Sequence, residues 1–390
     1  MKKKLFLSLC FSIALFQKGY SASSSQASVD ISEQNAIEKV YLKTPDLSDQ
    51  NIFGYTVGIR PMRKSGIRLE AEYLKNKVII HNYGYGGSGL TLSWGGAQEA
   101  VNILNAEKAK NPKLASCKTV AILGAGVIGL TTAYELLSQG YEVHLYADSF
   151  SPNLTSNVAA GIWSPPWISD DTAEAQKKLV ERILDISTKR FMASATSENP
   201  EFSGIKFVTF YKFKAKNSDE KNTLSHTFAH VPAKEEAVEV HFDNGVTKLG
   251  KRKQEMGLDG KIFMDDLYGK VMSKGAMIAE KHFDNANDVA ALPESIIINC
   301  TSLGSRELFK DQDFTPIRGQ MVYVKPKEGI DYAMFQNVPG APNYWMTIYP
   351  WQDRLIIGGV LEWGIDECVI DQNVIDDLIK HARECISRES

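Results

Sequence analysis

A glycine-rich turn between an apolar strand and a helix, at residues 119–137 ("TVAILGAGVIGLTTAYELL"), sets the strongest limit on how this chain can fold. The five residues before the turn are β-branched or apolar, which is typical of a strand buried on both faces. After the turn, apolar residues recur at i, i+3, i+4 and i+7, the period of one helical face. A second strand, "YEVHLYAD", ends on Asp148. This order of elements predicts a dinucleotide site in a Rossmann-like unit.

The glycines of this turn have separate tasks in such a site. Gly124 permits the tight turn, Gly126 lets the backbone approach a pyrophosphate, and Gly129 allows close packing of helix and strand. Asp148 can accept hydrogen bonds from a ribose. The free N–H groups at the start of the helix favour a phosphate. The motif alone does not separate FAD from NAD.

A second segment of the same kind comes earlier in the chain, at residues 81–104 ("HNYGYGGSGLTLSWGGAQEAVNIL"). Gly95 and Gly96 lie inside its helix, where each costs about 1 kcal/mol relative to alanine. We therefore predict that another backbone or a ligand approaches the helix closely at these positions. The positive end of the helix suits an electron-rich acceptor such as reduced flavin. One helical face is predicted to be formed by Leu90, Trp94, Ala97, Val101 and Leu104.

Length, charge and the N-terminal residues limit the class of protein. A chain of 390 residues has room for two domains. A net charge of −3 provides no basic surface for nucleic acid. Residues 1–22 combine lysines, a short apolar run and small residues, which predicts a signal peptide and an exported protein, periplasmic or secreted. A buried N-terminal helix fits the serine-rich continuation poorly, and no membrane span is expected in the mature chain. The alternative to export is a cytoplasmic protein.

Cysteine and histidine spacing does not indicate a metal site. Cys300 ends the apolar run "SIIINCT" and is interpreted as a small buried hydrophobe rather than a nucleophile. His226 and His230 have a spacing of i, i+4, but no third ligand is evident, so no metal is predicted. The basic run at 248–254 ("KLGKRKQ") is interpreted as a solvated loop.

Five segments of the chain resemble the D-amino-acid oxidase family, and together they cover well over half of the mature chain. They are residues 58–100, 121–165, 298–305, 316–326 and 355–364. In that family the segment that resembles 58–100 comes last, whereas here it comes first. The chain is therefore similar to a circularly permuted member of the family. A rearranged or truncated tandem gene product is the alternative.

The resemblance implies an α/β fold with an FAD-binding Rossmann-like domain and a smaller α+β substrate domain that contains a large mixed sheet. Residues 77–83, 89–107 and 119–123 are expected to form one βαβ unit with a right-handed crossover. The expected FAD-binding domain is discontinuous, at 77–165 and 258–310. The expected substrate domain comprises 24–76, 166–257 and 311–390.

The resemblance also implies roles for individual residues. Arg60 in "GIRP" would take a substrate carboxylate through its planar fork, and Tyr344 and Gly87 would lie beside the substrate. The cofactor-binding residues implied are Gly86, Gly87, Gly89, Leu90, Thr91, Gly124, Gly126, Val127, Ile128, Gly129, Asp148, Thr155, Ser156, Gly161 and Thr301. The chain departs from the family pattern at Thr347, where a second tyrosine is usual, and at Ser164 and Ser88.

The activity that the resemblance implies is FAD-dependent oxidative deamination of a D-amino acid, with dioxygen as acceptor and hydrogen peroxide as product. The departures from the family pattern leave two alternatives open. One is a related FAD amine oxidase or dehydrogenase that acts on glycine, N-methyl or cyclic amino acids. The other is a non-catalytic exported binding protein. A homodimer is also left open.

Overall fold

The computed structural model describes residues 37–163, 166, 172–213 and 234–387, which contain both strands and helices. The strands, in chain order, are β1 (Glu38–Leu42), β2 (Ile52–Arg63), β3 (Arg68–Leu74), β4 (Lys77–Tyr83), β5 (Thr119–Leu123), β6 (Glu142–Ala147), β7 (Ile205–Phe213), β8 (Glu236–Phe242), β9 (Thr247–Leu258), β10 (Met277–Glu280), β11 (Ile296–Asn299), β12 (Phe314–Val324), β13 (Tyr332–Asn337), β14 (Tyr344–Pro350), β15 (Leu355–Val360) and β16 (Glu362–Trp363). The helices are α1 (Gly89–Lys110), α2 (Pro112–Ala115), α3 (Val127–Ser138), α4 (Thr155–Val158), α5 (Glu174–Ala195), α6 (Gly260–Ser273), α7 (Ala286–Ala290), α8 (Ser305–Leu308) and α9 (Gln372–Cys385).

One sheet carries both glycine turns at its edge. Its strand order is β10-β6-β5-β11-β4-β3, and only β3 is antiparallel to its neighbour. Strand β5 is buried almost throughout, as the run "TVAIL" predicts. The predicted β4–α1–β5 unit is present, but β11 lies between β4 and β5 and pairs with both. Since parallel strands end at the same edge, the two turns face the same side.

A larger mixed sheet supplies the other half of the structure. Its order is β1-β8-β9-β7-β13-β14-β15-β12-β16, and β2 pairs antiparallel with β12 from Ile52 to Arg63. One face packs on α9, where Met346 and Ile348 join Ile375 in an apolar cluster. The opposite face carries a second, smaller apolar cluster. The predicted α/β class with a large mixed sheet is confirmed.

The basic run at 248–254 is not a loop. It lies inside β9, between β8 and β7. Its charges are neutralised by neighbouring strands: Arg252 binds Glu38 of β1 and Glu236 of β8, at 2.8 and 2.7 Å. Long basic side chains can lie along a sheet with their charged ends in water. A charge run alone therefore does not exclude a strand.

Two elements lie in a different part of the structure from the one expected. The predicted substrate domain includes residues 68–74 and 174–195. Instead, β3 pairs with β4 in the six-stranded sheet, and α5 packs against α1 through the same apolar core. The remaining domain boundaries stay predictions. Within the described residues, no helix is both long enough and apolar enough to span a membrane.

Close packing explains the two glycines inside α1. A Cβ on Gly95 would lie 2.0 Å from the backbone oxygen of Ile183 in α5. A Cβ on Gly96 would lie 2.1 Å from the hydroxyl of Tyr85. The predicted close approach is confirmed, and the approaching groups are a helix backbone and a buried tyrosine.

Candidate functional site

A cavity of about 2660 Å³ lies where the carboxyl ends of the parallel strands meet a face of the large sheet. Both glycine turns line it, as do the ends of β6 and β11. Pockets for single small molecules are typically about 300–1,000 Å³. This cavity therefore has room for a dinucleotide together with a second, smaller molecule.

The second glycine turn has the geometry that a dinucleotide site needs. Gly124 has a φ of +100°, and a Cβ there would lie 2.6 Å from the backbone oxygen of Cys300. A Cβ on Gly129 would lie 1.9 Å from the backbone oxygen of Gly124, so helix and strand pack closely. At Gly126 the nearest atom is Ser156 Oγ at 3.5 Å, which leaves space on the cavity side. The turn therefore fits an approaching pyrophosphate.

The start of α3 is partly occupied by a neighbouring side chain. The N–H of Val127 donates to Ser156 Oγ at 3.1 Å. No acidic residue lies in the first turn of α3, so no carboxylate of the helix itself compensates the positive end of its dipole. Val127, Ile128, Ser156 and the exposed Thr155 all line the cavity. Their predicted contacts with the cofactor remain predictions.

Asp148 follows β6 directly and is exposed at the cavity wall, where a ribose acceptor is expected. His282, which sequence reasoning missed, lies beside it with Nδ1 3.0 Å from Asp148 Oδ1. The hydrogen bond and the carboxylate charge raise the pKa of His282.

Gly161 and Thr301 line the cavity on opposite sides of the turn region. Gly161 has a φ of +75°, and a Cβ there would lie 1.5 Å from the backbone oxygen of Leu258, so β9 requires a glycine at this position. The hydroxyl of Thr301 donates to Asn299 Oδ1 at 2.7 Å. Both residues line the cavity, and their predicted contacts with the cofactor stay predictions.

The first glycine turn is attached to the strand that carries Arg60. The N–H of Gly86 donates to the backbone oxygen of Pro61 in β2 at 3.3 Å. Helix α1 then begins at Gly89, with no acidic residue in its first turn. The predicted flavin-binding residues Gly86, Gly87, Gly89, Leu90 and Thr91 all line the cavity. The positive end of α1 is therefore directed at the place predicted for the flavin ring.

Arg60 lies across two glycines and has no anionic partner among the described residues. Its Cδ is 3.2 Å from where a Cβ on Gly87 would be, and its Nη1 is 2.3 Å from where a Cβ on Gly319 would be. Nη1 donates to the backbone oxygen of Val360 at 3.3 Å. Burial lowers the pKa of Arg60 to about 10, and no charge among the described residues opposes that shift. By contrast, Arg63 is 3.1 Å from Asp311.

Tyr344 lines the cavity, and its predicted place beside the substrate stays a prediction. Its hydroxyl faces Asp377 Oδ2 of α9 at 3.5 Å, and its ring packs edge-on against His381. Tyr344 thus lies on the same side of β14 as Met346, which packs toward α9. Its hydroxyl is therefore directed at α9, while the residue also borders the cavity.

Two further hydroxyl residues on β14, Thr347 and Tyr349, line the cavity. Thr347 Oγ1 and the hydroxyl of Tyr349 are buried and have no hydrogen-bond partner among the described residues. Tyr349 was missed by sequence reasoning, although its two-residue spacing from Thr347 could have suggested it. Farther along the cavity, burial raises the pKa of Glu255, which lies 2.6 Å from Lys253.

The remaining predicted groups have structural roles or lie elsewhere. Cys300 is buried, and burial raises the pKa of its thiol to about 12, which confirms an unreactive residue. Across the described residues, no group of three His, Cys, Asp or Glu side chains could hold a metal. His226, His230 and Ser164 lie outside those residues. Ser88 is buried at the start of α1.

Comparison with known proteins identifies the family. A family model described as FAD dependent oxidoreductase (DAO) matches residues 119–389, well over half of the chain. The chain belongs to this family. FAD is therefore the cofactor of this FAD-dependent oxidoreductase, and the glycine turns, the free helix ends and Asp148 fit it. The matched range begins at β5, so the first glycine segment and Arg60 lie before it.

Relatives of this FAD-dependent oxidoreductase include amino-acid oxidases. The chain is 27% identical over 212 residues to a D-amino acid oxidase of Dugesia ryukyuensis, covering 53% of this chain and 60% of that protein. It is 24% identical over 283 residues to the human D-aspartate oxidase, covering 69% and 74%. The fold is similar to glycine oxidase from Geobacillus kaustophilus, with a TM-score of 0.50, 16% identity, and 68% and 76% coverage. A D-amino-acid oxidase of Dictyostelium discoideum is matched over 56% of its length, so the chain spans less than two thirds of the first two D-amino-acid oxidases it matches.

Proposed function

We propose that this FAD-dependent oxidoreductase converts a D-amino acid to a 2-oxo acid and ammonia, with dioxygen as the final acceptor. The observation that carries the proposal is Arg60. Its guanidinium is desolvated, has no carboxylate partner among the described residues, and lies beside Gly87 of the flavin-facing turn. A half-buried cation without an anion gains from a ligand that supplies one.

The geometry of a guanidinium suits an α-carboxylate. Its planar fork makes two parallel charge-assisted hydrogen bonds, which set both the position and the orientation of the ligand. Arg60 is anchored by Val360 on one side and supported by the glycine backbone beneath it. A carboxylate bound there would hold Cα over the turn formed by residues 86–89. Orientation of this kind can lower the barrier substantially without a separate acid or base.

The two glycine turns would bind different parts of the cofactor. Gly124, Gly126 and Asp148 would hold the adenosine and pyrophosphate part, and Gly86 to Thr91 would hold the ring. When bound, FAD would supply the two-electron oxidation of the substrate, with dioxygen as the final acceptor and hydrogen peroxide as its product. The start of α1 supplies a positive electrostatic environment beside the ring. The amine binds neutral, and water hydrolyses the released imino acid.

Arg60 variants test the proposal. Arg60→Ala should raise KM and lower kcat for D-amino acids, because both affinity and orientation are lost, with a combined fall in kcat/KM of about 100-fold or more. Arg60→Lys should recover only part of the lost kcat/KM, since an ammonium cannot make the two parallel hydrogen bonds to a carboxylate. Peroxide release is the assay, and flavin absorbance should be unchanged in both variants.

A control variant distinguishes loss of the proposed carboxylate contact from a general effect of removing an arginine. Arg182→Ala changes an exposed arginine of α5 that is 3.5 Å from Glu99, and it should keep full activity. If Arg60→Ala oxidises D-amino acids as fast as the wild type, the carboxylate site is elsewhere and the proposal is wrong.

Thr347 favours a second candidate, an FAD amine oxidase or dehydrogenase that acts on glycine, N-methyl or cyclic amino acids. A small residue at this position leaves room for a substituent on the amine. A panel of D- and L-amino acids, glycine, sarcosine and proline, assayed for peroxide and for reduction of an artificial acceptor, separates the two candidates. A flavin-bound protein that oxidises none of them would instead be a binding protein.

We also infer that the protein is exported. The inference rests on residues 1–22, which lie outside the described residues. Detection of the full-length precursor in the cytoplasmic fraction alone would contradict it. A homodimer remains a proposal, which size-exclusion chromatography with light scattering would test.

A further inference from the structure

Thr347 presents a buried hydroxyl to the cavity without a partner. The residue is only 4% exposed, it lines the cavity, and its Oγ1 has no hydrogen-bond acceptor or donor among the described residues. Tyr349 also lines the cavity, and its hydroxyl lies next to Gly257 of β9, where an added Cβ would be 2.0 Å from it. A buried polar group in this situation gains from a ligand that can form the missing hydrogen bond.

Two glycines and Met321 form the floor between Thr347 and Arg60. Gly358 of β15 is directly opposite Thr347. Gly319 of β12 lies beneath the guanidinium of Arg60. Because neither glycine carries a side chain, the surface beside Met321 keeps space for a small molecule between the hydroxyl and the cation.

The spacing of these two groups limits the length of that molecule. Arg60 donates to the backbone oxygen of Val360. On β15, Val360 is two residues from Gly358, which lies opposite Thr347 on β14. With standard strand dimensions, the hydroxyl and the guanidinium are roughly 10 Å apart. Hydrogen bonds of about 2.8 Å at both ends leave roughly 4–5 Å between the bound atoms. This span matches the separation of an α-carboxylate from a polar group two or three carbons away from it.

We propose that Thr347 is a specificity-determining residue that binds a polar group at the end of the substrate side chain. The substrate is then an α-amino acid of four or five carbons whose side chain ends in an amide, carboxyl or hydroxyl group. This inference rests on the proposed function, because it takes Arg60 as the ligand of the α-carboxylate. A site built to hydrogen-bond a substrate group discriminates strongly against an analogue that lacks the group.

Matched substrate pairs test the proposal on the FAD-loaded full chain. D-asparagine and D-leucine have similar shapes, as do D-glutamine and D-methionine. The wild type should prefer the polar member of each pair by at least about tenfold in kcat/KM. Thr347→Val, which removes the hydroxyl and keeps the shape, should abolish most of this preference by raising KM for the polar member. Thr347→Ser should retain it.

Substrate-induced changes in the flavin spectrum give an independent binding measurement on the same variants. Thr188→Val is the matched control, because its buried hydroxyl donates to Leu184 within α5 at 2.7 Å. It should leave the preference unchanged. A wild type that prefers the apolar member would overturn the inference, as would equal losses for both members in Thr347→Val. If Arg60→Ala also has wild-type activity, the proposed function fails instead.

Discussion

At the scale of single residues, the environment of His81 sets its protonation state. Asn299 Oδ1 accepts from the N–H and the hydroxyl of Thr301, so its amide nitrogen donates to His81 Nδ1 at 3.1 Å. The proton of the imidazole is therefore on Nε2, which donates to Glu72 at 3.0 Å. Burial, together with the charge of Arg68, lowers the pKa of His81 to about 4.

This assignment predicts how stability depends on pH. Between pH about 6.5 and 4, the unfolded chain binds a proton at His81 that the folded chain does not. The free energy of unfolding should therefore fall as the pH is lowered through this window, by up to about 1.4 kcal/mol per pH unit from this residue. Urea unfolding measured from pH 7.5 to 4.5 gives the slope. His81→Gln should make the slope shallower, and an identical slope would contradict the assignment.

At the scale of elements, the crossing of α1 and α5 depends on Gly95. Its N–H donates to Ser187 Oγ at 2.8 Å, and the backbone of α5 passes close above it. The crossing brings the buried residues Ile183 and Phe191 onto the same core as the six-stranded sheet. Since α1 begins at the flavin-facing turn, this packing also determines the direction of the helix end.

Gly95→Ala should destabilise the protein although alanine favours helices. The new Cβ would lie 2.0 Å from the backbone oxygen of Ile183, so the helices must separate, at a cost of about 1–3 kcal/mol or more. Gly269→Ala is the matched control, because that position in α6 is helical, exposed and has no atom within 4 Å of the added Cβ. It should stabilise by about 0.5–1 kcal/mol. Thermal and urea unfolding measure both changes, and a stabilised Gly95→Ala would contradict the prediction.

At the scale of the whole molecule, we propose that the chain is a circular permutation of the family order. The end of α9 lies against the segment that leads into β2: Arg383 Nε donates to the backbone oxygen of Leu47 at 3.0 Å, and its Nη2 is 2.5 Å from Asp49. A short connection could therefore join these segments. The polar linker before β5 is the corresponding place to open the chain.

A chain rearranged in this way should still fold. It would begin at Lys118 and continue through Ser387, followed by a short glycine–serine linker and residues 38–116. We expect flavin content close to that of the original chain and a Tm within several degrees of it, because the packed elements are unchanged. Flavin absorbance and thermal unfolding test this expectation.

A control chain opened between Gly86 and Gly87 should lose flavin, since that cut divides the turn beside Arg60. An insoluble or flavin-free rearranged chain, together with a flavin-bound control, would count against the permutation.

Sequence-based prediction succeeded for features that depend on neighbouring residues. The turn at Gly124, the strand before it and the close approach at Gly95 follow from backbone conformation and local periodicity. It failed for the run at 248–254, because the acids that neutralise its charges are on β1 and β8. It also missed Tyr349, because a residue type does not show which side of a strand faces the cavity.

By itself, the sequence determined that the chain has two strand–glycine–helix units, an α/β class and a dinucleotide site, because glycine turns and helix ends are local structures. Only the tertiary structure decided which polar groups remain without a partner. Arg60 and Arg63 are three residues apart in one strand, yet only Arg63 meets a carboxylate, from Asp311. Likewise, Thr347 is open to the cavity because Gly358 is its neighbour on β15. Pairing between strands that are far apart in the sequence brings these groups together, and local sequence does not encode which strands pair.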